Sequence, residues 1–425
     1  MNDTAPASVR ITDLARPRLP LPLRTVNWLG QPWARSLIGL DMTELMNTAR
    51  RQAGLDDFGP DSSFLEPLRT LLFCLDKEAD LSFLGRIGAR RFILQQLQNR
   101  LLIEDVIRRH PEILAEKIER PIIIAGLPRT GTTHLHSLLS QDQNLQYLAY
   151  YELLEPVLSA REQTSGNGQD PRIARCRQSL ETLDWMMPYF QRMHELSVEG
   201  CHEEINIFTI HFSSMLFENM YRCPTYRDWY RQADHRPAYD FLKRVLQMFQ
   251  WQRRSQGQRW VLKSPQHLET LDALIDTFPD ARIVQTHRDP VRITASTLVM
   301  DTYGKRMATR EVDLRINGRY WSRRVEDLLY GAMEGRRKLP QEQVTDVIFP
   351  EFIKDQIGTV ERLYRFFELP FTEQARQAMA AFIAANPKGR HGTVDYVLED
   401  FGIDPQERRA ALRPYQTQYG VPDEE

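Results

Sequence analysis

The sequence predicts an α/β fold: a parallel sheet flanked by helices and carrying a P-loop-like phosphate loop, with an N-terminal helical extension and a helical insertion. Three observations predict it. Pro121-Ile-Ile-Ile-Ala125 is a short β-branched run that ends in a glycine-bearing turn, and helical spacing (Leu135, Leu138, Leu139) follows at once. Strand, tight loop and helix in that order make half of a βαβ unit. The same order returns at residues 259–262 before a helix over 268–278, and at 282–286 before a helix opened by Asp289-Pro290, with Pro at its favoured first position. A fourth apolar run, 344–349, precedes helical spacing through Ile357, Val360, Leu363 and Phe366. Strands that alternate with helices pair in parallel, are covered on both faces and bind ligands at their carboxyl edge.

Ahead of the first strand, residues 1–35 are rich in Pro and Arg (Pro17, Pro20, Pro22, Pro32) with little periodicity, which predicts an extended arm. Residues 36–120 carry apolar residues at helical spacing, as in Leu94, Leu97, Leu101 and Leu102, and read as a helical extension. The α/β domain takes residues 121–425 and is interrupted at 155–258 by an insertion rich in aromatics and Met, among them Trp185, Met186, Met187, Phe190, Phe208 and Tyr226. Such stripes build either core or the wall of an apolar pocket.

The chain has 425 residues, 42% apolar and 26% charged, and its 55 Lys and Arg against 57 Asp and Glu leave a formal charge of −2. No global field points to nucleic acid or to an anionic membrane. The longest apolar run, 378–385, is far below the roughly 18 residues of a spanning helix, and the first twenty residues lack an apolar signal core. Cys74, Cys176, Cys201 and Cys223 form no C-x-x-C pair, so neither a zinc site nor a disulfide framework is indicated. These features predict a cytoplasmic protein and leave a homo-oligomer open.

Gly126-x-x-x-x-Gly131-Thr-Thr133 has the spacing of a loop whose backbone N–H groups and following helix dipole converge on one anion. Thr132 stands where a nucleoside triphosphatase needs its lysine. The cation has moved to Arg129 inside the loop, where its fork can hold two oxygens of one anionic group. A second signal, His287-Arg288-Asp-Pro-Val-Arg-Ile-Thr-Ala-Ser296, sets Arg288 at a strand end and Ser296 two turns further on, fit to bracket a second phosphate. A third, Trp260-Val-Leu-Lys263-Ser264-Pro265, delivers Lys263 to the same edge.

Together these motifs resemble the sulfotransferases that use 3′-phosphoadenosine 5′-phosphosulfate (PAPS). The 5′-phosphosulfate loop of that family is similar to Gly126-Leu-Pro-Arg-Thr-Gly-Thr-Thr133, here in the arginine form of the tyrosylprotein sulfotransferases rather than the lysine form of cytosolic aryl enzymes. Its 3′-phosphate motif is similar to Arg288 with Ser296, eight residues apart. The resemblance to bacterial-type members runs from about residue 45 to 420 and takes in Asp57-Phe-Gly59, Met193-His-Glu195, Leu262-Lys-Ser-Pro265 and Tyr396-Val-Leu-Glu-Asp-Phe-Gly402. It implies in-line transfer of a sulfuryl group from PAPS to a hydroxyl or amine, with a general base and no metal. It also implies Arg129, Thr130, Gly131, Thr132 and Thr133 at the 5′-phosphate, Arg288 and Ser296 at the 3′-phosphate, and Lys263 at the bridging oxygen. Lys388-Gly-Arg-His-Gly392 is similar to the basic loop that closes over the 3′-phosphate, which nominates Arg390 unless the loop is simply solvated.

An acceptor hydroxyl must lose a proton, so a general base worth roughly 10²–10⁴ in rate is expected. Glu152 in Tyr150-Tyr-Glu152 is similar to the position of the base in the tyrosylprotein relatives, and equally suits a helix-initiating carboxylate. His194 and the Cys201-His-Glu-Glu204 segment are its rivals, and of the adjacent Glu203 and Glu204 at most one would face a site from a helix. The acceptor itself, a small molecule, glycan or lipid alcohol, is open. Ten Lys and Arg against five Asp and Glu between Lys305 and Lys338 suit either an acidic acceptor or a solvated helix face with Arg315, Arg319 and Arg323. A P-loop kinase is the alternative enzyme, weakened by Thr132 and by the lack of a magnesium-binding carboxylate strand. His287-Arg-Asp289 and Asp400-Phe-Gly402 mimic protein-kinase signatures but lie too far apart, and Thr294 stands where the metal-binding Asn should be. A non-catalytic nucleotide-binding module is the third reading.

Overall fold

In the computed structural model, which describes residues 8–159, 162, 170–387 and 392–424, five strands form one parallel sheet. They are β1 (Ile122–Ala125), β2 (Leu145–Gln146), β3 (Arg259–Lys263), β4 (Arg282–His287) and β5 (Val344–Ile348), in the order β2-β3-β1-β4-β5. Four of these follow from the sequence pattern; β2 has two residues, too few to show a period. Successive side chains point to opposite faces. Ile122 and Ile124 join Val261, Val284 and Val347 under Leu135, Leu138 and Phe367, whereas Ile123, Leu262 and Ile283 face the larger helical body that contains Leu97 and Phe208. Because β3 and β4 flank β1 on opposite sides, the chain reverses its winding there. The carboxyl ends of these three strands open into the crevice where such sheets hold ligands.

Residues 8–20 run without helix, and Val9 bridges Val394 in parallel. The rest of the arm corrects the expectation of an extended segment. Helix α1 (Leu21–Gly30), a 3-10 turn (Gln31–Trp33) and a short helix (Ala34–Leu37) follow one another. Pro22 and Pro32 lie within the first two positions of their helices, where an amide N–H has no helical partner to lose, so prolines that read as breakers act as starters. Helix α2 (Phe83–Arg109) is the spine of the helical extension and is capped by Ser82, whose hydroxyl accepts from Gly85 N–H. Behind β1 comes α3 (Thr132–Leu139), after β2 a short α4 (Tyr150–Leu154), and after β4 the long α5 (Pro290–Lys305).

The insertion divides between the two roles its composition allowed. Phe208, Phe212, Tyr226 and Tyr230 are wholly buried core, while Met186, Phe190, Met215 and Met220 line a cavity. Helix α6 (Leu314–Arg336) binds the insertion to the sheet through Arg324, fully buried between Glu218 and Glu269, and leaves Arg315, Arg319 and Arg323 in solvent. Among the described residues no helix is long and apolar enough to cross a membrane.

The seat of the loop after β1 is tight. A Cβ on Gly126 would stand 1.9 Å from Thr286 Oγ1 on β4. Gly126→Ala is therefore expected to lower stability by about 1–3 kcal/mol, read from the urea midpoint, and to shift the loop off β4.

Candidate active site

Two residues of the loop at 126–133 hold left-handed backbone: Gly131, at the N-cap of α3 (φ +87°), and Arg129 (φ +72°). For an arginine this conformation costs about 1–2 kcal/mol, and the surroundings impose it. The Arg129 carbonyl accepts from Arg288 Nη1 (2.9 Å), and its guanidinium donates to the carbonyl of Met193 (2.8 Å). The Thr130 hydroxyl donates to Leu127 O (2.7 Å) and meets Thr286 Oγ1 at 2.6 Å, so this side chain, expected at the phosphate, belongs to the frame of the loop instead. Arg129, Gly131, Thr132 and Thr133 line the cavity.

Lys263 ends β3 with only 1% of its surface exposed. Its ammonium pairs with Glu203 and donates to Thr133 Oγ1 (3.3 Å), which links β3 to the phosphate loop. The neighbouring Glu204 faces the other way. It accepts from the Lys263 backbone N–H (2.8 Å) and bonds His267, which in turn meets Tyr239 OH at 2.7 Å. The acidic doublet therefore supplies one carboxylate to the site and one to the scaffold. His194 and His202 line the same cavity with their rings 5.4 Å apart, and neither ring makes a hydrogen bond among the described residues. Burial pushes the His194 pKa down to about 4; nearby Glu203 raises it, while Lys263 and Arg129 lower it, and the ring is neutral at pH 7.

Arg288 follows β4. It grips both carboxylate oxygens of Glu424 at 2.8 Å and lies 4.2 Å above the Phe349 ring. The sequence gives no sign of Glu424, a charge near the chain end with no motif around it. Ser296, on α5, carries a buried hydroxyl with no partner among the described residues, although it lines the cavity. Arg390 lies outside the described residues.

Glu152 requires a correction. It is the third residue of α4, reaches back to accept from the Ala149 N–H (2.9 Å), pairs with Arg253 and does not line the cavity. Held by two donors and off the cavity lining, this carboxylate stands where it caps a helix. The kinase-like aspartates are also structural. Asp289 caps α5 and binds Arg409, and Asp400 pairs with Arg10 on the surface.

The cavity measures about 1570 Å³, more than one small ligand needs. It follows one face of α5: Arg292, Ser296, Met300 and Gly304 line it at four-residue spacing, a span of roughly 18 Å. Cationic and hydroxyl groups occupy the N-terminal end of that face; Met300 and Gly304 follow with Asp301 beside them, and Met307 lines the cavity just past the helix end.

With that geometry in place, a comparison of sequences decides the family. The profile described as the sulfotransferase family matches residues 121–373, more than half of the chain. The chain belongs to the sulfotransferase family. It is 24% identical over 271 residues to the omega-hydroxy-beta-dihydromenaquinone-9 sulfotransferase Stf3 of Mycobacterium bovis, and equally to that of Mycobacterium tuberculosis. That match takes in 59% of this chain and 63% of the relative's length. Among solved structures it is similar to sulfotransferase STF1 of Mycobacterium tuberculosis H37Rv, with a TM-score of 0.77 and 29% identity over 89% of this chain and 99% of that one. Sulfotransferase STF9 of Mycobacterium avium shares the fold, with a TM-score of 0.79 at 22% identity over 90% of this chain and 98% of its own. Membership accounts for an anion loop without the triphosphatase lysine.

For this sulfotransferase-family chain, Glu152→Gln is expected to reduce stability by about 1–3 kcal/mol through loss of a charged cap and ion pair, measured by urea unfolding. Turnover per folded molecule stays at the parent level. A collapse of turnover in a fully folded variant would return Glu152 to the reaction.

Proposed function

We propose that this protein transfers the sulfuryl group of PAPS to the hydroxyl of an apolar, lipid-like alcohol. One observation carries the reading: anion-seeking elements from β1 and β4 meet in a cavity, with Lys263 of β3 behind the Glu203 and Thr133 that line it, and the cavity continues along α5 to a methionine-rich end. The residues fit the nucleotide. The unpartnered Ser296 hydroxyl and the Arg288 fork suit a 3′-phosphate, and the loop amides with Arg129, Thr132 and Thr133 suit the 5′-phosphate. The lipid-like acceptor is supported by the methionine-rich end of the cavity and by the menaquinone named in the description of Stf3. Four free cysteines agree with a cytoplasmic setting. A kinase reading is disfavoured by Thr132 in the lysine position.

PAPS brings a sulfuryl group on a phosphate leaving group, and the transfer resembles phosphoryl transfer in needing mainly position and charge. Lys263, behind the lining residues Glu203 and Thr133, turns from Glu203 toward the oxygen that gains charge as the bond to sulfur breaks. His194, neutral and without a hydrogen-bond partner among the described residues, takes the proton of the attacking hydroxyl. Glu203 then steadies the imidazolium, as a carboxylate does behind a catalytic histidine. Arg288 exchanges Glu424 for the nucleotide.

Adenosine 3′,5′-bisphosphate at 100 times its dissociation constant is expected to stabilise the protein by roughly 2.7 kcal/mol, seen as a rise in Tm, with little effect of Mg-ATP. Arg288→Ala should remove most of the rise. The reverse ranking of the two nucleotides would support the kinase reading.

His194→Gln is expected to cut kcat by about two orders of magnitude while the bisphosphate still stabilises the protein. Since the ring must be unprotonated to act, kcat/KM should hold from neutrality down and fall on the acid side with a midpoint near the His194 value of about 4. An ordinary histidine would put that fall near 6.5. A parent-like kcat in the variant would reject His194 as the base.

A further inference from the structure

Helix α1 is packed with its polar side inward. Asn27 Oδ1 accepts from Leu84 N–H (2.8 Å), and just beyond the helix Gln31 Oε1 accepts from Phe83 N–H (2.8 Å), so the arm satisfies two first-turn amides of α2. Gly30 lies against the Phe83 ring, where a Cβ would come within 2.4 Å. Turning the arm over to hide its apolar side would strip these caps from α2. The outward face consequently shows Leu21 (71% exposed), Trp28 (77%) and Leu29, and continues through Trp33 (63%) and Leu37. Of the ten exposed large apolar side chains among the described residues, six lie in this one segment, so the exposure is clustered and not scattered.

The charge carried by the segment itself is one-signed, although Arg16 on its flank pairs with Glu311. From residue 14 to residue 40 the chain has Arg16, Arg18, Arg24 and Arg35 and no Asp or Glu, against the balanced charge of the whole. A second copy docking on this face by a two-fold axis would set arginines against arginines. A surface with apolar depth and anionic heads fits it, since Trp and Leu bury at such an interface while Arg stays at head-group level. The same segment borders the cavity. Leu19, Leu23, Leu84 and Ile87 line the volume that also contains Arg129 and His194.

We propose that the outward face of residues 21–37 docks the protein on an anionic lipid bilayer, with the apolar end of the cavity held at the lipid surface so that an amphiphilic alcohol enters without crossing water. The use of the surface rests on the lipid-like acceptor proposed above; the docking itself does not.

The full chain is floated with vesicles of phosphatidylcholine with or without phosphatidylglycerol, without donor or acceptor. Binding is expected on the anionic vesicles, weakened about tenfold or more by the double variant Trp28→Ser/Trp33→Ser and about fivefold by Arg24→Glu. Both tryptophans are exposed, and an unchanged stabilisation by adenosine 3′,5′-bisphosphate certifies the fold. No binding, or equal binding by parent and double variant, overturns the proposal. Self-association that the double variant abolishes, without vesicle binding, would assign the patch to a second copy. Sulfuryl transfer to a soluble alcohol by a protein that does not float would retain the function and reject the docking. Flotation without transfer to any alcohol would do the opposite.

Discussion

A buried ammonium costs several kcal/mol unless it is paired and hydrogen-bonded, and Lys263 is the group on which that constraint falls. Its solution organises the whole crevice. Glu203 supplies the charge, Thr133 brings the phosphate loop into contact, and Glu204 fixes the backbone beneath through the Lys263 N–H and His267. Three sequence-distant segments, 126–133, 201–204 and 259–267, thus share one electrostatic node. The left-handed Arg129 persists because Arg288 and Met193 hold it from both sides. Counter-ions from within the chain hold these cations in place.

The scaffold was legible because its signals are local. Each βα unit announces itself within a dozen residues, and the loop at 126–133 and the pair Arg288 and Ser296 lie where strands end. What could not be read depends on partners far along the chain. Glu152 becomes a cap through Ala149 and Arg253, the second a hundred residues away. The split of Glu203 from Glu204 is decided by which of them meets β3. In the arm, prolines carried opposite meanings for a sequence pattern and for a folded first turn, and only the structure distinguishes them.

Helix α5 joins the two halves of the proposed chemistry. Its N-terminal end presents cations and an unpartnered hydroxyl, and the residues four apart down the same face become methionine and glycine. Beside them the same helix presents Asp301, paired with Lys305, so the far end sets methionines around one neutralised acid. Methionine suits that far end, since its flexible thioether adapts to occupants of varied shape.

The carboxylate of Glu424 on the Arg288 fork gives the resting protein a built-in counter-anion. A guanidinium left bare in a cleft would recruit phosphate or sulfate from solution and hold it. With the tail seated instead, stray inorganic anions face competition from a tethered group at high effective concentration, whereas a ligand that engages two subsites at once has the added grip to displace it. For the nucleotide proposed above, a grip at two anionic groups would thus be the condition for lifting Glu424 from the fork.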